Sequence, residues 1–272
     1  MNPHEPHERD TRDRPGAAGS LFPERIRFVE FFGLPGIGKT TASRLFANRL
    51  RQLGMPVDEA RQERKGLIVR QMDRIVLVLP KLLNREFRSL AARIARFVAQ
   101  GGQETPIDVL RVTWNLCTVA AYIEEQRSRG GPLMVLDQGL LQGFFSVLLQ
   151  HRDRATSEPW LDILSAFGVE DFVFVDLRGG IDVAHGRLRA RGDRVSRLQR
   201  AAPDRDVGLR IMAERAYQRI TAEIAQRSDA SGNAPLIVSV DIDSSISPEQ
   251  VADRALQAVF HACRGWHWAQ NS

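Results

Sequence analysis

Lysine is nearly missing from this chain of 272 residues: Lys39, Lys65 and Lys81 stand against 35 arginines. Cysteine is rarer still. Cys117 and Cys263 give neither a disulfide framework nor a metal-ligand spacing. Long apolar runs are absent too; Ile75 to Leu79 falls far short of the ~20 residues that span a bilayer. The first twenty residues, MNPHEPHERDTRDRPGAAGS, lack the apolar core of a signal peptide. Being charged and rich in Pro and Gly, residues 1–22 read as a disordered tail. These absences predict a soluble, cytoplasmic protein that makes no use of a membrane.

What is present suits a packed domain. Hydrophobic residues make up 43% and charged residues 26%, enough for a sizeable core. The formal charge of +5 raises nucleic-acid binding as a question. Acidic and basic residues alternate along most of the chain, however, which is the pattern of solvated faces. We therefore read the arginine content as compositional and expect no nucleic-acid partner.

Four apolar runs have the character of buried parallel strands: Ile26 to Phe32, Leu133 to Asp137, Phe172 to Leu177 and Leu236 to Asp241. Val57 suggests a further short strand. Helical sequence follows each run, so the pattern predicts an α/β fold with a parallel sheet covered by helices on both faces. Residues 66–130 read as a helical insert, although Ile75 to Leu79 could also be a strand. Within it, Thr105-Pro106 with Asp108 forms a helix start. The apolar positions that follow (Ile107, Leu110, Trp114, Leu116, Cys117, Ala120, Ile123) predict a buried helix. Ser247-Pro248-Glu249-Gln250 is a capping-box pattern opening the last helix. Residues 264–272, with Trp266 and Trp268, read as a C-terminal tail.

The strongest local signal lies at residues 33–40, GLPGIGKT. Gly33, Gly38, Lys39 and Thr40 fit G-x-x-x-x-G-K-[ST], with an additional Gly36. Glycines let backbone N–H groups turn inward around phosphate oxygens, and the helix that follows points its positive end at them. This pattern predicts nucleotide contacts from Gly33, Leu34, Pro35, Gly36, Ile37, Gly38, Lys39, Thr40 and Thr41. Lys39 should reach the β- and γ-phosphates, and Thr40 should ligate Mg²⁺.

Two further features sit near the ends of predicted strands, where open parallel sheets bind ligands. Asp137 ends LMVLD, where an acid can organise Mg²⁺. It could equally hold a substrate group, activate a hydroxyl, or simply close a turn before Gly139. Asp176, Asp241 and Asp243 read as turn carboxylates. Residues 187–210 carry eight arginines and three acids. Arg187, Arg191 and Arg194 share one helix face, and arginine's planar fork suits phosphate oxygens. With no aromatic in the segment to stack on bases, residues 187–206 read as an Arg-rich lid.

On these landmarks, from residue 26 to 262, the chain resembles the P-loop nucleoside and nucleotide kinases, and thymidylate kinase most closely. GLPGIGKTT is similar to the family's phosphate loop. FVFVDL followed by VAHGRLRARGDR resembles its strand, helix and lid, in which Arg187, Arg191 and Gly192 match an R-x-x-x-R-G run. The resemblance implies a P-loop NTPase fold over 23–263, acceptor binding at the helical insert, and an ATP- and Mg²⁺-dependent phosphotransferase. Lys39, Asp137, Arg187, Arg191 and Arg194 would be its catalytic residues, and Thr40 and Asp137 its metal ligands. The chain departs from the family at Asp137-Gln138-Gly139, where thymidylate kinases carry Asp-Arg followed by an aromatic residue or histidine. It also has no clear Arg-Glu-Pro-Gly segment. The expected partners are ATP and a small-molecule acceptor, with a homodimer left open. The competing readings are a P-loop ATPase or switch controlling a partner, and a module that binds nucleotide without turnover.

Overall fold

The computed structural model describes residue 22 and residues 26–59, 67–149, 160–190, 203–230 and 235–270. These form five strands and nine α-helices. β1 (Phe28–Gly33), α1 (Lys39–Gln52) and β2 (Val57–Glu59) come first. Three helices follow: α2 (Leu67–Lys81), α3 (Arg85–Gln100) and α4 (Pro106–Arg129). β3 (Leu133–Leu136), α5 (Leu140–Leu148) and α6 (Trp160–Ala166) lead to β4 (Phe172–Arg178). The chain closes with α7 (Ile181–Ala190), α8 (Pro203–Ala230), β5 (Leu236–Asp241) and α9 (Pro248–Gln270).

All strand pairs are parallel, in the order β2-β3-β1-β4-β5. β1 lies at the centre and every residue in it is buried. Side chains alternate across a strand, and the alternation separates two layers. Phe31 meets Phe46 of α1 edge-on, with centroids 5.3 Å apart, and α1 packs on α9. Glu30 and Phe32 point the other way, to α5 and to Tyr217 of α8. Helices therefore cover both faces of the sheet, as the run of apolar strands predicts.

The helix signals act as expected. Thr105 accepts a hydrogen bond from Asp108 N, with Pro106 in the first helical position. Ser247 and Gln250 form a reciprocal capping box, Gln250 N donating to Ser247 Oγ and Ser247 N to Gln250 Oε1. Other expectations need correction. Ile75 to Leu79 lies inside α2 and is no strand. Ile107 and Leu110 are 75% and 70% exposed, on the side of α4 opposite Val109 and Val112, which pack into the core. Phe22 is buried edge-on against Phe260, so residue 22 does not belong with the tail. Residues 264–270 continue α9 as helix. Residues 1–21 lie outside the described residues.

Candidate functional site

The loop between β1 and α1 takes its shape from glycine. Gly33, Gly36 and Gly38 have φ of 147°, 92° and 109°, which side-chain-bearing residues rarely adopt. Gly36 is doubly required: a Cβ there would lie 2.4 Å from both Ala184 O and Leu188 Cγ of α7. Leu34 and Ile37 are buried and root the loop in the core, while Pro35 is half-buried. Gly38 caps α1 without a side-chain hydrogen bond, and the first turn of α1 contains no acid. The N–H groups of Lys39, Thr40 and Thr41 have no carbonyl one turn behind them within the helix. A polyphosphate fits this arrangement of outward amides at a positive helix end. Lys39 curls back over the loop, its Nζ donating to Gly33 O at 2.9 Å and Leu34 O at 3.0 Å. A cation thus stands over the same concave backbone.

Asp137 follows β3, whose Leu136 is in register with Glu30 of β1. It lies just past the carboxyl end of β3, as Thr40 lies past the carboxyl end of β1. Both are half-buried. Among the described residues no group of three or more His, Cys, Asp or Glu could hold a metal ion. Mg²⁺ needs no such cage, because it keeps waters and takes one or two carboxylates together with phosphate oxygens. Thr40 and Asp137 offer a hydroxyl and a carboxylate, oxygen donors of the type such an ion takes.

Arg187 of α7 has a different setting from the one its spacing suggests. Its Nη1 donates to Ile37 O at 2.8 Å and its Nη2 to Asp243 O at 3.2 Å. The guanidinium thereby ties the glycine loop to the β5–α9 turn. That turn is itself held by Asp243, whose carboxylate accepts from the Ser245 hydroxyl and from Ser245 N and Ile246 N and sits below its ordinary pKa for that reason, the hydroxyl first. Arg191 and Arg194, and most of the 187–206 lid, lie outside the described residues.

Two buried acids escape a motif-based reading. Glu30, fully buried in β1, accepts from Leu140 N and Leu141 N at 2.8 Å and from Gln142 N at 3.3 Å. Burial raises its pKa to about 7, with the backbone donors pulling the other way. Asp176 is no turn carboxylate. It lies inside β4, in register with Phe32 and Ser239, and accepts from Tyr217 OH at 2.6 Å and Arg178 Nε at 2.9 Å. Burial raises its pKa as well. The available signal was the same for both: an acid within an apolar strand must have donors. Gln142 adds a third feature, since its Oε1 is buried without a hydrogen-bond partner.

No protein-family model matches the chain, and no curated protein matches it. Among the described residues no helix is long and apolar enough to cross a membrane.

Proposed function

We propose that this chain is an ATP-dependent kinase of the P-loop NTPase fold, similar to thymidylate and other nucleotide kinases, transferring a phosphoryl group to a small-molecule acceptor. The observation that carries the reading is the uncapped, acid-free start of α1 beneath three positive-φ glycines, with Lys39 lying across it. ATP would be held by the amides of residues 33–41 and by Lys39. Mg²⁺ would be held by Thr40 and Asp137, and when bound neutralises charge developing on the phosphoryl oxygens. The chain's own contribution is positioning and a fixed electrostatic environment. Arg187 shapes the loop, and Arg191 and Arg194 are the proposed cationic lid.

The acceptor site belongs beside the Asp137 turn. Gln142 supports that location, because a buried amide oxygen without a partner invites a donor from a ligand. Asp137 is the candidate to orient the acceptor hydroxyl or phosphate. A nucleoside or nucleotide is the acceptor class favoured by the resemblance, and the cytoplasm is the compartment where its ATP is available.

A second copy of the chain is the protein partner we favour. Val69, Met72, Val76 and Leu79 are exposed at the alternating three- and four-residue spacing of a helix-pairing seam. α2 runs parallel to α4, with Arg74 on Asn115 and Lys81 beside Glu124 and Glu125, an offset that puts exposed Leu110 at about the level of Val69 along the pair. With Ile75, Leu83 and Ile107 the bare apolar surface is on the order of 800 Å², one partner's share of a standard interface.

The deciding experiment is ADP release from ATP·Mg²⁺ across nucleosides, nucleoside monophosphates and phosphorylatable sugars, with Lys39→Ala as control. Acceptor-dependent turnover lost in the variant is the expected result. Hydrolysis that depends on a protein partner would favour the switch reading instead. Tight binding with no turnover for any acceptor or partner would leave a nucleotide-binding module.

A further inference from the structure

Glu30 lies in β1 and Asp137 just past β3, and the sequence offers nothing that links them. The structure links them through three residues. Asp137 is followed by Gln138 and Gly139, and α5 begins at Leu140. Glu30 receives the first N–H groups of that helix on both carboxylate oxygens: Leu140 N on Oε2, Leu141 N and Gln142 N on Oε1. Gly139 N is a further donor. The helix is therefore capped by an acid from the central strand, 110 positions away in sequence, because Gly139 has no side chain to cap it.

Gly139 makes this contact possible. Its φ of −116° is open to any residue, so backbone conformation does not require glycine. Space does. A Cβ at 139 would stand 2.4 Å from Glu30 Oε2 and 2.5 Å from its Cδ. Here a buried carboxylate fills that space, and the glycine and the acid form one device.

We propose that Glu30 is a positioning residue: by holding the start of α5 it fixes the Asp137 turn against the glycine loop, which begins at Gly33 of the same strand. The inference rests on the kinase reading above. Its physical basis is the demand Mg²⁺ makes for near-octahedral ligands and the ~100-fold penalty that an ångström of misplacement can impose. The rigid unit is β1 itself, buried throughout, with its acid aimed at one ligand's turn and its end forming the loop for the other.

The test compares a ribose-labelled fluorescent ATP analogue binding in excess Mg²⁺ and in EDTA, using wild type, Glu30→Gln, Gly139→Ala and the double variant Glu30→Asp/Gly139→Ala. Glu30→Gln keeps the shape of the side chain but replaces one acceptor oxygen with a donor. The expected result is metal-free affinity within about twofold of wild type and a Mg²⁺-dependent gain reduced about tenfold or more. Gly139→Ala should lose the same gain, and the shorter acid in the double variant should restore part of it, a non-additivity only coupled residues give. Gly139→Ala with the double variant decides the matter if Glu30→Gln does not fold. A folded Glu30→Gln or Gly139→Ala protein with the full Mg²⁺ gain overturns the proposal and leaves Glu30 a cap of the fold. Failure of the nucleotide and Mg²⁺ site on which that reading stands looks different: the wild type itself would bind no nucleotide, or bind it with no gain from Mg²⁺.

Discussion

At Arg187 two loops of chain meet one helix side chain, and a guanidinium already engaged by the carbonyls of Ile37 and Asp243 acts first on geometry. We expect Arg187→Ala to raise the KM for ATP about tenfold while kcat changes less than about threefold, the signature of lost ground-state binding. Arg187→Lys should not rescue it, because a single ammonium cannot bridge both carbonyls. Steady-state kinetics separate these outcomes, and a fall in kcat alone would return Arg187 to the phosphate. Glu30 has its own pH signature. The folded protein keeps its proton up to about pH 7, whereas an ordinary glutamate releases it near 4.5. Stability from this group is complete below 4.5, declines as pH rises through that window and is flat above 7. The decline amounts to roughly 3 kcal/mol, and urea midpoints between pH 4.5 and 7.5 should lose it in Glu30→Gln.

The elements carry a second polar anchor, between α8 and β4. Tyr217 stacks on Phe32 with centroids 5.4 Å apart while its hydroxyl reaches buried Asp176. Tyr217→Phe keeps the ring and removes the donor, so it should cost about 1–3 kcal/mol in a denaturant melt; no loss would mean that Arg178 alone satisfies the acid. Much at this scale was legible in the sequence. The glycine loop is a local motif, and β1, β3, β4 and β5 are apolar runs whose partners need not be known to read them. Caps such as Thr105 and Ser247 are local as well. What stayed hidden depends on distant chain. The donors to Glu30 lie on α5, and the hydroxyl that meets Asp176 lies on α8, so neither pairing leaves a mark in its own segment. Ile75 to Leu79 was ambiguous because α2 is apolar on two sides: Leu77 and Val78 face the core, while Val76 and Leu79 face out. Ile107 and Leu110 satisfy helical periodicity on the side of α4 opposite Val109 and Val112, which pack into the core, and periodicity carries no information about what covers a side.

For the whole molecule, the exposed seam on α2 predicts self-association. Sedimentation at micromolar concentration should give twice the 30.6 kDa of one chain, and Leu79→Glu should shift it to a monomer with its melting transition retained. A wild type that sediments as a monomer would remove the second copy from the account. The sheet order has a separate consequence, for the chain as it is made. β1 is made before the other described strands, yet both its neighbours come late: Phe28 pairs with Met134 and with Phe172. With synthesis at ~5–20 residues per second, FVEFF waits roughly 7–30 seconds for its second edge to be covered. During that time an apolar strand with a lone acid at its middle is a sticky segment of nascent chain. Its safe passage depends on chaperones or on early cover from α1, which makes yield in the cell sensitive to translation speed between codons 34 and 172.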